Sequence, residues 1–149
     1  MGFAELLAAL VALLSIAAPG NYQVAVRGEQ VVLVEVGLHG QPFAPEGLSD
    51  CDEMNFYRVQ AGLPDRFAAL GWRESNCRNE DQVKTYCCHG YWQMWTDLHL
   101  RDHRLAPLMA DCEVTGPQDL NSDDPLEKQK QACAAKALFD VMGYQPWNL

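Results

Sequence analysis

Glu74 is a carboxylate placed for acid–base work. It stands in Trp72-Arg73-Glu74-Ser75-Asn76, at the end of a short stretch in which Phe67, Leu70 and Gly71 space as one helix face. A helix end is a rigid mount for a group that must deliver a proton. A cysteine-bearing loop follows, and Gly90-Tyr91-Trp92-Gln93 comes sixteen to nineteen residues after Glu74. This Gly-aromatic-x-Gln turn can form the facing wall of a cleft. The Gln93 amide both donates and accepts, which suits sugar hydroxyls and N-acetyl groups. The chemistry that fits is cleavage of a glycosidic bond. Its general acid must be protonated near neutral pH, and burial against apolar surface raises a carboxyl pKa far enough for that.

Three motifs in order carry a resemblance over roughly residues 51–149. Glu74-Ser75-Asn76 and Gly90-Tyr91-Trp92-Gln93 resemble the Glu-Ser and Gly-Leu-Met-Gln motifs of the lytic transglycosylase branch of the lysozyme-like superfamily. Cys133-Ala134-Ala135-Lys136 and Gly143-Tyr144-Gln145-Pro146-Trp147 resemble the Cys-Ala-Lys helix and Gly-x-x-Ala-Trp segment of chicken-type lysozymes. The resemblance implies an α+β, mainly α, lysozyme-like fold with a small β element. It implies catalysis by Glu74, with Trp147 packed against it and Ser75, Tyr91 and Gln93 on the substrate side. The implied substrate is the β-1,4 bond between N-acetylmuramic acid and N-acetylglucosamine in peptidoglycan, with no cofactor and no metal. Retaining and inverting hydrolases generally use two carboxylates. Chicken-type lysozymes have an Asp two residues before the turn glycine, and here that residue is Cys88. The substitution favours a single-Glu lytic transglycosylase over a hydrolase. Glu80 and Asp81 are the alternative second carboxylates.

Composition sets outer limits. A chain of 149 residues with a 48% hydrophobic fraction supports one ordinary packed domain. A net charge of -9 argues against nucleic acid and anionic lipid, because phosphate binding needs clustered Lys and Arg. The same charge disfavours electrostatic capture by an anionic wall. That gives weight to a different reading, a non-catalytic lysozyme-like module that binds glycan or fills a structural place in a virion or cell-envelope assembly.

The six cysteines, Cys51, Cys77, Cys87, Cys88, Cys112 and Cys133, all lie in the last hundred residues. An even count in one region reads as three disulfides formed in an oxidising compartment. The expected pairs are Cys77 with Cys87 or Cys88, and Cys112 with Cys133. A zinc site built on Cys77, Cys87, Cys88 and His89 is the alternative, as is a thiol nucleophile beside His89. Neither has strong spacing, since no paired C-x-x-C occurs. His99 and His103 are four apart but have no third ligand, and read as surface or packing residues.

Along the chain, residues 1–19 read as a signal peptide or N-terminal hydrophobic segment. Phe3 to Ala18 is apolar apart from Glu5 and Ser15, although no basic residue precedes the run. Residues 20–50 read as a β-hairpin and a Gly/Pro linker. Tyr22–Val26 and Val31–Val36 alternate around Arg27-Gly28-Glu29-Gln30, and Gly37–Ser49 is the linker. Residues 51–149 read as the catalytic domain. Its expected helices are Cys51–Ala61, a helix after Pro64 leading to Glu74, Trp92–Leu100, Leu105–Asp111, and Pro125–Met142 capped by Asp123 or Asp124. Trp92 and Trp95 read as core at helix spacing, and Lys128, Lys130 and Lys136 as a solvated helix face. The expected location is secreted, periplasmic or virion-associated.

Overall fold

The computed structural model describes residues 22–27, 30–78, 87–120 and 123–148. The apolar segment at 3–18, and Glu80 and Asp81, lie outside them. The chain divides into two compact units between Pro42 and Phe43, inside the expected linker.

In the first unit, β1 (Tyr22–Arg27) pairs antiparallel with β2 (Gln30–Glu35), in a register that sets Tyr22 opposite Glu35 and Arg27 opposite Gln30. The β-branched alternation that predicts this hairpin also sets its register. Val36 then bridges to Pro42 around a short 3₁₀ turn at Leu38–Gly40.

The second unit is mainly helical. Helix α1 (Asp50–Gln60) starts at Ser49, whose Oγ accepts from the Asp52 amide at 3.3 Å, and Asp50, Asp52 and Glu53 occupy its positive end. Helix α2 (Arg66–Ser75) buries Phe67, Leu70, Gly71 and Ser75 on one face. Gly71 permits a close crossing. A Cβ there would sit 2.1 Å from the Met54 sulfur on α1. Helices α3 (Thr96–Arg101) and α4 (Ala106–Asp111) are short. Helix α5 (Pro125–Met142) has Pro125 in its first turn, and the Asp124 carboxylate caps it by accepting from Leu126 N at 2.8 Å. Phe67 lies at the centre of the core, in ring contact with Trp92, Phe139, Tyr144 and Trp147.

Two expectations about α-helical surface are corrected. The helix expected at Trp92–Leu100 begins only at Thr96. Gly90 (φ 79°) and Gln93 (φ 48°) divert the backbone into a turn, closed where His89 and Met94 exchange backbone hydrogen bonds of 3.0 and 2.9 Å. Trp92 is therefore buried, but Trp95 is exposed. Lys128 and Lys130 are buried rather than solvated. Helix α5 packs on α1 and on the 3₁₀ segment Pro117–Leu120, so its flanks face protein. Their stems lie along that surface and their ammonium groups reach carboxylates. Lys128 pairs with Glu53 at 2.8 Å, and Lys130 with Glu127 at 3.3 Å and Asp119 at 3.9 Å. Lys136 is half-exposed beside Asp140.

All six cysteines are oxidised, in the pairs Cys51–Cys77, Cys87–Cys88 and Cys112–Cys133. The last pair is the expected one. Cys77 does not close the loop toward Cys87 or Cys88. Left-handed backbone at Asn76 and Cys77 (φ 54° and 61°) turns the chain leaving α2 back toward the start of α1, where Cys51 receives it. With every cysteine sulfur in a disulfide, neither a zinc thiolate nor a thiol nucleophile is present. Three disulfides are the mark of an oxidising compartment. Among the described residues no helix is long and apolar enough to cross a membrane.

Burial pushes the His99 imidazole below its ordinary value, only partly offset by Asp102, and its Nδ1 has no hydrogen-bond partner among the described residues. The folded state thus holds His99 neutral while the unfolded chain accepts the proton more readily. Its contribution to stability is complete above about pH 6.5 and is lost as pH falls toward the folded-state value. Melting curves between pH 7.5 and roughly pH 5 should show a downward slope in the wild type. The slope should be shallower in His99→Gln. Equal slopes would remove His99 as the cause.

Candidate active site

Glu74 occupies the last turn of α2 and opens into a pocket of about 430 Å³, within the size range of small-ligand sites. Arg73, Glu74, Cys88, Gln93, Pro146, Trp147 and Asn148 line it. The Glu74 side chain is 26% exposed. Its Oε1 accepts from Arg73 Nε at 2.8 Å and from Arg73 Nη2. The same Nη2 also donates to the Trp147 carbonyl at 2.8 Å. Arg73 thereby ties the carboxylate to the short 3₁₀ segment Gln145–Trp147. The guanidinium thereby occupies Oε1.

The opposite wall is the 90–94 turn, and its position is built from the core outward. Gln131, fully buried on α5, accepts from Tyr91 N at 2.6 Å through its Oε1. A Cβ on Gly90 would lie 2.1 Å from that same Oε1. Gly90 is therefore required twice, for its positive φ and for this close approach. Ser75 Oγ lies 2.8 Å from the Tyr91 carbonyl and 3.0 Å from that of Gly71, a donor shared between helix and turn. Trp92 Nε1 donates to Phe67 O at 2.8 Å, and Trp147 Nε1 donates to Trp92 O at 2.8 Å. Four hydrogen-bond links thus fix the turn against α2, α5 and the C-terminal segment. The turn presents Gln93, whose Nε2 donates to Gly90 O at 2.9 Å.

Five of the residues predicted from sequence now have distinct places. Glu74, Gln93 and Trp147 meet on one pocket. Trp147 is itself buried, its indole edge-on against Phe67. Ser75 and Tyr91 do not face the pocket. Ser75 is buried because its hydroxyl is used to link α2 to the turn. Tyr91 is 1% exposed and borders a separate space of about 20 Å³, room for about one water. Burial, reinforced by nearby Glu53, pushes the Tyr91 phenol far above its ordinary value, so it is a neutral core group. The sugar-lining role expected for both residues gives way to a supporting one.

The chain matches no family model, no curated protein and no solved structure. What the site can do therefore rests on its own geometry.

Arg73 and Gln131 are the residues that sequence reasoning missed. Gln131 was legible in principle. It stands at i, i+4 and i+7 spacing with Ala135 and Leu138, a polar residue on a buried stripe, and such a residue must find a partner. Arg73 carried no such mark. Cys88, the residue in the position of the chicken-type Asp, does line the pocket, and it stands there as half of a disulfide. Among the described lining residues, Glu74 is the one carboxylate. No group of three or more His, Cys, Asp or Glu able to hold a metal occurs among the described residues.

Proposed function

We propose that this chain is a lysozyme-like, peptidoglycan-cleaving enzyme of the lytic transglycosylase type. The observation that carries the reading is Glu74, the one carboxylate among the described residues lining the pocket, together with a turn that presents the Gln93 amide. In the proposed reaction, Glu74 Oε2 protonates the glycosidic oxygen between N-acetylmuramic acid C1 and N-acetylglucosamine O4. The C1–O bond breaks and positive charge develops at C1. The Glu74 carboxylate then takes the proton of the muramic acid C6 hydroxyl as that oxygen bonds to C1. The product is a 1,6-anhydro ring, and Glu74 is regenerated without water. One carboxylate suffices because it serves first as acid and then as base. Gln93 and Asn148 offer amide donors and acceptors to the sugar substituents.

The disulfides suit action outside the cytoplasm, whether secreted, periplasmic, at the cell envelope or in a virion. The partners are peptidoglycan glycan strands. The products distinguish the mechanism. Digested peptidoglycan should yield muropeptides lighter by one water than hydrolytic products when their masses are measured. Products ending only in reducing muramic acid would replace the transglycosylase mechanism with hydrolysis.

One observation favours a second reading. The Arg73 guanidinium holds Glu74 in place as an ion pair, an arrangement also suited to a non-catalytic lysozyme-like module that binds glycan or serves an assembly. Such a module would retain peptidoglycan without releasing soluble fragments.

A further inference from the structure

Two of the three disulfides have an evident structural task. Cys51–Cys77 closes 26 residues and Cys112–Cys133 closes 21. Loops of that length remove about 3 kcal/mol of unfolded-chain entropy in the loop-closure model. Cys87–Cys88 joins neighbours in sequence. It encloses no loop and restrains the unfolded chain hardly at all. It does restrain the backbone locally, by closing a small ring across the peptide bond between the two residues. This ring sits where the site is assembled. Cys88 lines the Glu74 pocket, and His89 next to it begins the backbone pairing with Met94 that closes the turn carrying Gln93. Exposure separates the three bridges as well. In the two loop-closing bridges one cysteine is buried, Cys77 (1% exposed) and Cys112 (2%), and its partner, Cys51 or Cys133, is half-buried, whereas Cys87 and Cys88 are both half-buried. Cys87–Cys88 is the one bridge of the three with neither cysteine buried.

We propose that the Cys87–Cys88 disulfide is a redox gate on the Glu74 pocket, opened by a dithiol reductant. Its effect on glycan cleavage rests on the function proposed above, but its effect on the pocket wall does not. In the opening step a thiolate of the dithiol attacks one sulfur of the pair. The Cys87–Cys88 S–S bond breaks, and a mixed disulfide forms while the other cysteine leaves as a thiolate that takes up a proton. The second thiol of the reductant attacks the mixed disulfide, forms the reductant's own disulfide and releases the remaining cysteine as a thiol. Two electrons and two protons pass to the protein. The oxidised ring holds Cys88 and the turn in the pocket wall. The reduced pair frees both side chains and loosens the turn, while the two loop-closing bridges keep the fold.

The test uses the full chain and dithiothreitol. After limiting reduction and alkylation, peptide masses should place label on Cys87 and Cys88 while the other four cysteines remain bridged. Hydrogen exchange of the 90–94 amides should speed up by about tenfold, with α5 unchanged. The double variant Cys87→Ser/Cys88→Ser should exchange like the reduced protein whether or not dithiothreitol is present. Earlier labelling of Cys77 or Cys112, or unchanged exchange at 90–94, would overturn the gate. Peptidoglycan digestion separates the two proposals. If the amides respond but neither redox form cleaves, the enzymatic reading fails and the gate stands as control of the pocket. If both forms cleave at one rate, the gate fails and the enzymatic reading stands.

Discussion

Glu74→Gln is expected to lower peptidoglycan cleavage by about 10²–10⁴-fold, the usual contribution of a general acid, while leaving the fold intact. The amide matches the carboxylate in shape, so its oxygen can still accept from Arg73 Nε and Nη2. What it lacks is a transferable proton. The lost ion pair is a small stability term, because the Arg73 side chain is 47% exposed and such pairs are worth at most about 1 kcal/mol. Release of soluble muropeptides and a thermal melt, measured on the same preparation, check both halves. Undiminished turnover would remove Glu74 from the mechanism. A wild type that binds peptidoglycan but releases nothing, and a variant that behaves identically, would establish the non-catalytic module instead.

Gly90→Ala is expected to be among the most destabilising substitutions available in this chain. The new Cβ would meet Gln131 Oε1 at 2.1 Å and Gln131 Cδ at 2.5 Å, on a side chain locked in the core. It would also force a side chain onto backbone at φ 79°. Left-handed backbone costs about 1–2 kcal/mol and overpacking typically about 1–3 kcal/mol. The sum, about 2–5 kcal/mol, is a large share of ordinary domain stability. Displacing Gln131 would also strip the Tyr91 amide of its acceptor and release the turn that carries Gln93. Gly62→Ala is the matched control. Its φ is 73°, but its nearest neighbour is the flexible end of Lys136 at 3.7 Å, so only the backbone cost applies. Denaturant unfolding should separate the two variants by at least about 1 kcal/mol. Equal losses would show that the Gln131 contact yields without cost.

The local elements were readable because local rules govern them. Alternating β-branched residues define β1 and β2. Gly62, Asp124, Pro125 and Gly143 mark helix ends through capping and backbone preference. The Phe67, Leu70, Gly71 stripe showed which way α2 faces; Glu74 continues that stripe at the helix end, and Arg73 lies off it. The Gly-aromatic-x-Gln motif located the second wall. The parity and clustering of the cysteines indicated three disulfides and an oxidising compartment.

Tertiary packing decided the rest, because the choices lay between partners distant in sequence. Nothing local tells Cys77 to meet Cys51 rather than Cys87. The left-handed exit of α2 and its crossing of α1 at Gly71 do so. Lys128 and Lys130 have the spacing of a solvated face and are buried, because α1 and the Pro117–Leu120 segment happen to supply carboxylates there. Ser75 and Tyr91 carry groups that could touch a sugar, yet their hydrogen-bonding and burial are set by contacts with one another's segments and with α5. Residue types and spacing thus determined which groups were on offer, a helix-end acid at Glu74 and an amide-bearing turn at Gln93. Only the folded chain determined which side chains reach the pocket, since a side chain's direction depends on every element packed beneath it.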